Sequence, residues 1–165
     1  MNTDKHGSDH CELRHGDVTD AILSAFFEVY NELGFGFLES VYQKAMIVAL
    51  GERDRSARHE TPIRVWFHQQ CVGAFRADLI VEDAVIVELE AARSIDSAHE
   101  AKLLNYLRAT DKEVGLLLNF GPKPAFKRFV FDNDRKVQRG VLPIRVDQRE
   151  SAAAPLALTA AGAPR

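Results

Sequence analysis

Residues 72–91 read VGAFRADLIVEDAVIVELEA. Two apolar, β-branched runs, Val72–Val81 and Ala84–Ala91, flank a Glu82-Asp83 pair that suits a tight turn. This predicts two adjacent strands, the second apolar enough to be central in a sheet. Upstream, Pro62–Gln69 alternates, with Ile63, Val65 and Phe67 on one side and Arg64, Trp66 and His68 on the other. Gln69-Gln70 is expected to turn this strand into the next. The three runs make a meander.

Further outward, the period changes to that of a helix. Ile22, Ala25, Phe26, Val29, Tyr30 and Leu33 recur at three- and four-residue spacing from about Asp17, and Gly34 stops the run. A second helix is expected over Leu38–Leu50, ended by Gly51 and followed by a charged loop, GERDRSARH, at residues 51–59. Downstream, residues 96–109 read as a helix with Asp96 as N-cap, Val114–Phe120 (VGLLLNF) as a buried strand, and Phe126–Phe131 as an edge strand. The predicted class is α/β: a mixed sheet flanked by helices, with a three-strand meander, a helical crossover and a further strand beyond the third.

A chain of 165 residues holds one domain. Its hydrophobic share of 46% and charged share of 27% suit a globular protein and exclude a disordered one. The net charge of -3 announces no nucleic-acid partner, so any such binding needs a local patch. Two cysteines, Cys11 and Cys71, exclude a disulfide scaffold and a CxxC zinc site. No run is long enough to span a bilayer and the N-terminus lacks an apolar signal core, so a cytoplasmic location is the expectation. Residues 1–15 and the Ala/Pro-rich 147–165 are expected to be disordered, leaving 16–146 as the folded domain.

The chemistry is expected in the acids. Asp78 lies on the second strand; Glu88 and Glu90 lie two apart on the third and share a face. Carboxylates on apolar strands are costly to bury unless paired or bound to a metal. Mg²⁺ prefers such oxygen ligands together with phosphate oxygens, and phosphodiester cleavage is a coherent use of it. The plainer alternative is a solvated sheet face.

Gly36-Phe37-Leu38-Glu39-Ser40-Val41-Tyr42 matches a GxxExxY signature, Gly73–Ala91 an Asp strand followed by a Glu-x-Lys strand, and Leu103–Gly121 a helix-plus-strand block. In these motifs, in this order, residues 17–131 resemble the GxxExxY proteins of the PD-(D/E)XK nuclease-like superfamily. The resemblance implies a restriction-endonuclease-like core and Mg²⁺- or Mn²⁺-dependent nuclease activity on DNA or RNA; the short apolar runs argue against a membrane partner. It marks Glu39, Asp78 and Glu88 as metal-binding and catalytic acids. The chain departs at Glu90, which stands where the family has its lysine, and at Lys102, where the family's helix has glutamine. Lys102 is long enough to supply the missing amine from the helix, with Glu90 as its partner or as a further metal ligand. Independent drift to a catalytically inactive fold that binds nucleic acid or a protein is the other reading.

Tyr42 and Arg76 are weighed as substrate contacts, against packing for Tyr42 and charge screening for Arg76. Arg53, Arg55, Arg58, Lys123, Lys127 and Arg128 are weighed as phosphate contacts, but the acids interspersed among the loop arginines favour a solvated loop. His6, His10, Cys11 and His15 have no element to fix them as ligands, and Cys71 has no His-Asp pattern that would make it a nucleophile.

Overall fold

A computed structural model describes residues 13–138. The element order is α1 (Gly16–Leu33), α2 (Glu39–Gly51), β1 (Ala57–Phe67), β2 (Gln70–Val81), β3 (Val85–Glu90), α3 (Ser97–Ala109), β4 (Val114–Asn119), β5 (Ala125–Val130) and α4 (Asn133–Gln138). The strands form one sheet in the order β1-β2-β3-β4-β5. Only the β3–β4 pair is parallel, because α3 carries the chain back across the sheet between them. The expected mixed α/β sheet is the observed one.

Each sheet face carries its own core. The apolar stripe of α1 (Ile22, Ala25, Phe26, Val29) and the buried side of α2 (Tyr42, Met46, Leu50) cover Leu79, Val87, Leu89, Leu116 and Leu118. On the other face, Leu103, Tyr106 and Leu107 of α3 cover Ala77, Ile80, Ile86 and Leu117. Every residue of β3 and β4 is buried, as the continuous apolar runs imply. Full burial of a side chain such as Phe26 stabilises the fold by about 1.5–3 kcal/mol.

Beyond shifts of a residue or two at element ends, the structure differs from the sequence reading in three places. Strand β1 begins at Ala57, inside the expected charged loop, because Ala57–His59 pair with Val81–Leu79. On an edge strand the backbone ladder holds polar residues that show no alternation. The first hairpin turns at His68-Gln69, one residue early, with φ of 45° and 64°. This is the double left-handed geometry of a type I′ turn, which matches the strand twist. The helix α4 was not foreseen. Its buried Lys136 donates to the carbonyls of Thr110 (2.8 Å) and Lys112 (2.6 Å), at and just past the end of α3. Burial pushes the pKa of that amine down to about 8.

Residues 1–12 and 139–165, with His6, His10 and Cys11 and the C-terminal tail, lie outside the described residues. Leu13–His15 form a turn in which Arg14 pairs with Glu113 (2.9 Å) and Asp132 (2.8 Å).

Past β3 the chain is tied to the end of β4. Asn119 accepts from the Ala92 N–H and donates to the Ala92 carbonyl, both at 3.0 Å. Gly121 packs under that carbonyl so closely that a Cβ would lie 2.1 Å from the oxygen. Gly121→Ala is therefore expected to cost about 3 kcal/mol or more, since backbone rather than a flexible side chain must move. A urea midpoint unchanged from wild type would refute this.

Candidate active site

The β2–β3 ladder runs from Val81↔Val85 to Leu79↔Val87 and ends there. The next pair in register is Asp78 opposite Glu88, and here side chains take over from backbone. The Asp78 N–H donates to Glu88 Oε1 (3.3 Å), and the Leu89 N–H donates to Asp78 Oδ2 (2.8 Å). Gln43 of α2 donates its Nε2 to the Asp78 carbonyl (3.0 Å). Asp78 is thus tied to two neighbouring elements, β3 and α2. The Glu90 carbonyl accepts from Phe120, and strand groups alternate in direction. The Leu89 carbonyl accordingly points, like its N–H, to the β2 side.

Glu88 is fully buried on the α3 side of the sheet. Its Oε2 has no hydrogen bond of regular geometry but meets the Lys102 ammonium at 2.5 Å. Glu90, also buried, lies 3.9 Å from Lys102 through Oε1 and 3.4 Å from His99 Nε2 through Oε2. His99 is held by the α3 capping box. Asp96 accepts from the N–H groups of Ala98 (2.8 Å) and His99 (3.0 Å), while His99 Nδ1 accepts from Asp96 N–H (3.3 Å). That leaves His99 Nε2 to carry the proton toward Glu90.

Glu39, the first residue of α2, lines a cleft of about 180 Å³ with Ser40, Gln43, Glu60, Asp78 and Leu89. The acids therefore fall into two groups that meet at Asp78: Glu39 and Glu60 on the cleft side, Glu88 and Glu90 on the α3 side. Among the described residues no three His, Cys, Asp or Glu side chains gather as a ready ligand set. Full convergence of Glu39, Asp78 and Glu88, which the family resemblance implies, is not reached. Lys102 is the nearby cation, and Glu88 pairs with it. The donors still suit a hard divalent ion: they are carboxylate oxygens, buried at Glu88 and Glu90, half-buried at Asp78 and exposed at Glu39.

Burial pushes Glu88 up to about 7, with the Asp78 charge adding to the rise and Lys102 opposing it. Burial likewise raises Asp78, opposed by the Leu89 N–H and Lys102 and helped by Glu39 and Glu60. Glu90 is raised mainly by burial too, against the pull of His99 and Lys102. Desolvation, more than mutual repulsion, keeps the acids weak. For Lys102, burial acts downward, but the hydrogen bond and charge of Glu88 and the charge of Asp78 prevail and raise it. Lys102 is an ammonium throughout the neutral range.

A pH dependence follows. Between pH 4.5 and about 7 the folded chain holds a proton on Glu88 that the unfolded chain has lost. Stability of the metal-free protein should therefore fall as pH rises through that window, by about 1.4 kcal/mol per unit at most. A cation must displace the same proton, so Mn²⁺ affinity should rise up to about tenfold per unit toward pH 7 and then level off. Glu88→Gln should flatten the stability profile; an unchanged slope in that variant would assign the proton elsewhere.

Tyr42 is corrected as a substrate contact. It is fully buried, stacks on Phe120 (4.2 Å between ring centres), donates to the Gly34 carbonyl (2.9 Å) and accepts from Phe37 N–H (3.2 Å). Its hydroxyl pins the α1–α2 linker and so sets where Glu39 begins the helix. Arg76 is exposed at the cleft mouth and pairs with Glu60 (3.2 Å). Of the other basic residues weighed for phosphate, Arg53, Arg55, Arg58 and Lys127 are engaged by Glu28, Asp17, Asp83 and Glu100. Arg128 donates to the Arg14 carbonyl (2.7 Å). Cys71 is exposed, forms no disulfide and donates its Sγ–H to the Gly73 carbonyl (3.4 Å).

Two neighbours escaped the sequence reading. Glu60 faces Asp78 in the β1–β2 register and has a φ of 46°; it was hidden among loop charges. His99 was hidden by its helix, although its place three residues after an Asp N-cap is a legible signal.

Residues 16–129 match the PD-(D/E)XK nuclease superfamily. No curated protein matches the chain. Among solved structures, the crystal structure of SSO0001 aligns with a TM-score of 0.46 at 19% identity, covering 74% of this chain and 71% of that one. A family match over more than half of its length, on a sheet that sets Asp78 against Glu88, makes this chain a member of the PD-(D/E)XK nuclease superfamily.

Proposed function

We propose that the protein is a Mg²⁺- or Mn²⁺-dependent nuclease hydrolysing phosphodiester bonds of DNA or RNA, with its lysine supplied by α3. One observation carries this reading: the Lys102 ammonium reaches Glu88 Oε2 at 2.5 Å and also approaches Glu90, so the amine lies over the acids although the strand lysine is missing. Asp78, Glu88 and Glu39 would hold the ion, with Glu90 as a further carboxylate within the group. When bound, the ion would lower the pKa of a coordinated water and offset charge on the phosphate. Lys102, always protonated, would position the attacking water and stabilise developing negative charge; it is no general base. Glu90, between Lys102 and His99, would keep the amine in place. Arg76, in an exposed pair that a phosphate can readily replace, would contact the substrate backbone.

The signature at residues 36–42 supports reading the chain as a GxxExxY-type member. The cytoplasm, where an exposed thiol such as Cys71 stays reduced, is its proposed location. No described helix is long and apolar enough to cross a membrane. Glu90 at the lysine position favours the second reading, a catalytically silent fold that binds nucleic acid or a protein partner. The deciding experiment incubates the protein with mixed DNA and RNA substrates in Mg²⁺, Mn²⁺ or EDTA. Metal-dependent cleavage is expected; Mn²⁺ binding without cleavage of any substrate would sink the enzymatic reading.

A further inference from the structure

Strands β1 and β2 continue well past the sheet. Beyond the Asp78 position β2 has no ladder to β3, and the β1–β2 pairing runs on to Phe67↔Gln70. No residue from Arg64 to Arg76 is buried. This is a two-stranded ribbon that starts at the cleft, where Glu60 faces Asp78, is covered by α3 as far as Ile63 and Ala77, and then runs on for about 13 Å, four residues at the strand rise, to Phe67. A free ribbon of this kind adds little stability of its own. It nevertheless ends in large apolar side chains, Trp66 at 45% and Phe67 at 63% exposure, with the His68 ring against Phe67 (4.1 Å between centres).

Charge indicates what meets this tip. Beyond the Glu60–Asp78 position, residues 61–77 carry Arg64 and Arg76 and no acid, in a chain whose net charge is -3. The ribbon is a locally basic part of an acidic protein, and its Arg76 sits in an exposed ion pair that a phosphate can displace. A polyanion fits here. A duplex-binding surface that neutralises about 6–10 phosphates needs more than two arginines provide. Exposed aromatic rings on a modestly basic strand suit unpaired bases, which stack on them whatever their sequence. A second copy of the ribbon would be repelled by its like charge.

We infer that the β1–β2 ribbon is a docking arm for single-stranded nucleic acid, its bases stacking on Trp66 and Phe67 and its backbone leading along the arginines into the cleft. The inference rests on the nuclease reading of the cleft and names its substrate as single-stranded.

Trp66 is the only tryptophan in the chain, so its emission reports the contact directly. The full-length protein is titrated in EDTA, which prevents cleavage, with a twelve-nucleotide oligo(dT) and separately with the oligo(dT)·oligo(dA) duplex. Saturable quenching by the single strand is expected, with at least tenfold weaker binding of the duplex. Trp66→Leu should weaken binding of a labelled oligo(dT), followed by anisotropy, by about ten- to a hundredfold. Phe67→Leu, which keeps the reporter, should do so by about tenfold; both sites are exposed, and circular dichroism checks the fold. No quenching, equal affinity for the duplex, or a wild-type dimer that Trp66→Leu converts to monomer would each overturn the inference. Quenching without cleavage under Mg²⁺ would defeat the nuclease reading and leave the arm standing; cleavage without quenching would do the reverse.

Discussion

Lys102→Ala is expected to lower metal-dependent cleavage by about 10³-fold while leaving Mn²⁺ binding intact. The ammonium at 2.5 Å from Glu88 is the nearest positive group to that buried carboxylate. Removing such a preorganised donor typically costs two to three orders of magnitude in rate. The fold should survive. Glu88 already titrates near 7, so loss of its partner moves it to the neutral form rather than leaving a buried charge. Above pH 8, where that proton is harder to keep, the variant should be visibly less stable. Calorimetry with Mn²⁺ separates the effects: lost cleavage with unchanged or tighter metal binding assigns Lys102 to the reaction, and unchanged cleavage removes it. Glu90→Lys supplies the complementary arm. It would put a second cation beside Lys102 and His99, so activity should fall. A gain of activity would mean that the wild-type site is silent.

Asp78→Asn should weaken Mn²⁺ binding by about a hundredfold or more and abolish cleavage, with only a small loss of stability. Asp78 Oδ2 accepts the Leu89 N–H, and the Asp78 backbone is held by Gln43 and Glu88. An asparagine can keep its amide oxygen on Leu89, so the end of the ladder stays closed. Its NH₂ would then face the cleft shared with Glu39 and Glu60, a donor where an acceptor is required. The negative charge common to both acid groups is lost. Unchanged Mn²⁺ affinity would take Asp78 out of the site.

Much of this was legible in the chain. Periodicity alone separates the helices 16–33 and 39–51 from the strands, because one-sided burial leaves a period of 3.6 in a helix and 2 in a strand. The Glu82-Asp83 turn between two apolar runs fixes Asp78 and Glu88 as neighbours, since a tight turn leaves only one partner within reach. Asp96 announced its helix through its capping chemistry.

Other features depend on contacts between residues far apart in sequence. Residues 57–59 became strand because an edge ladder satisfies backbone groups whatever the side chains are. Tyr42 turned inward because Phe120, on a distant element, offered it a stacking surface. Glu60 reached the cleft by register with β2, and His99 reached Glu90 by the way α3 crosses the sheet.

From the sequence alone come the elements, their order, the face shared by Glu88 and Glu90, and the presence of a lysine on the helix where a strand lysine is missing. Tertiary structure decided which charges are paired. Glu88 is fully buried and Lys102 half-exposed above it, and burial rather than sequence spacing raises the acids while their attraction keeps the amine charged. Spacing along a chain fixes direction and face; the cost of desolvating a charge is set only when every neighbour is in place.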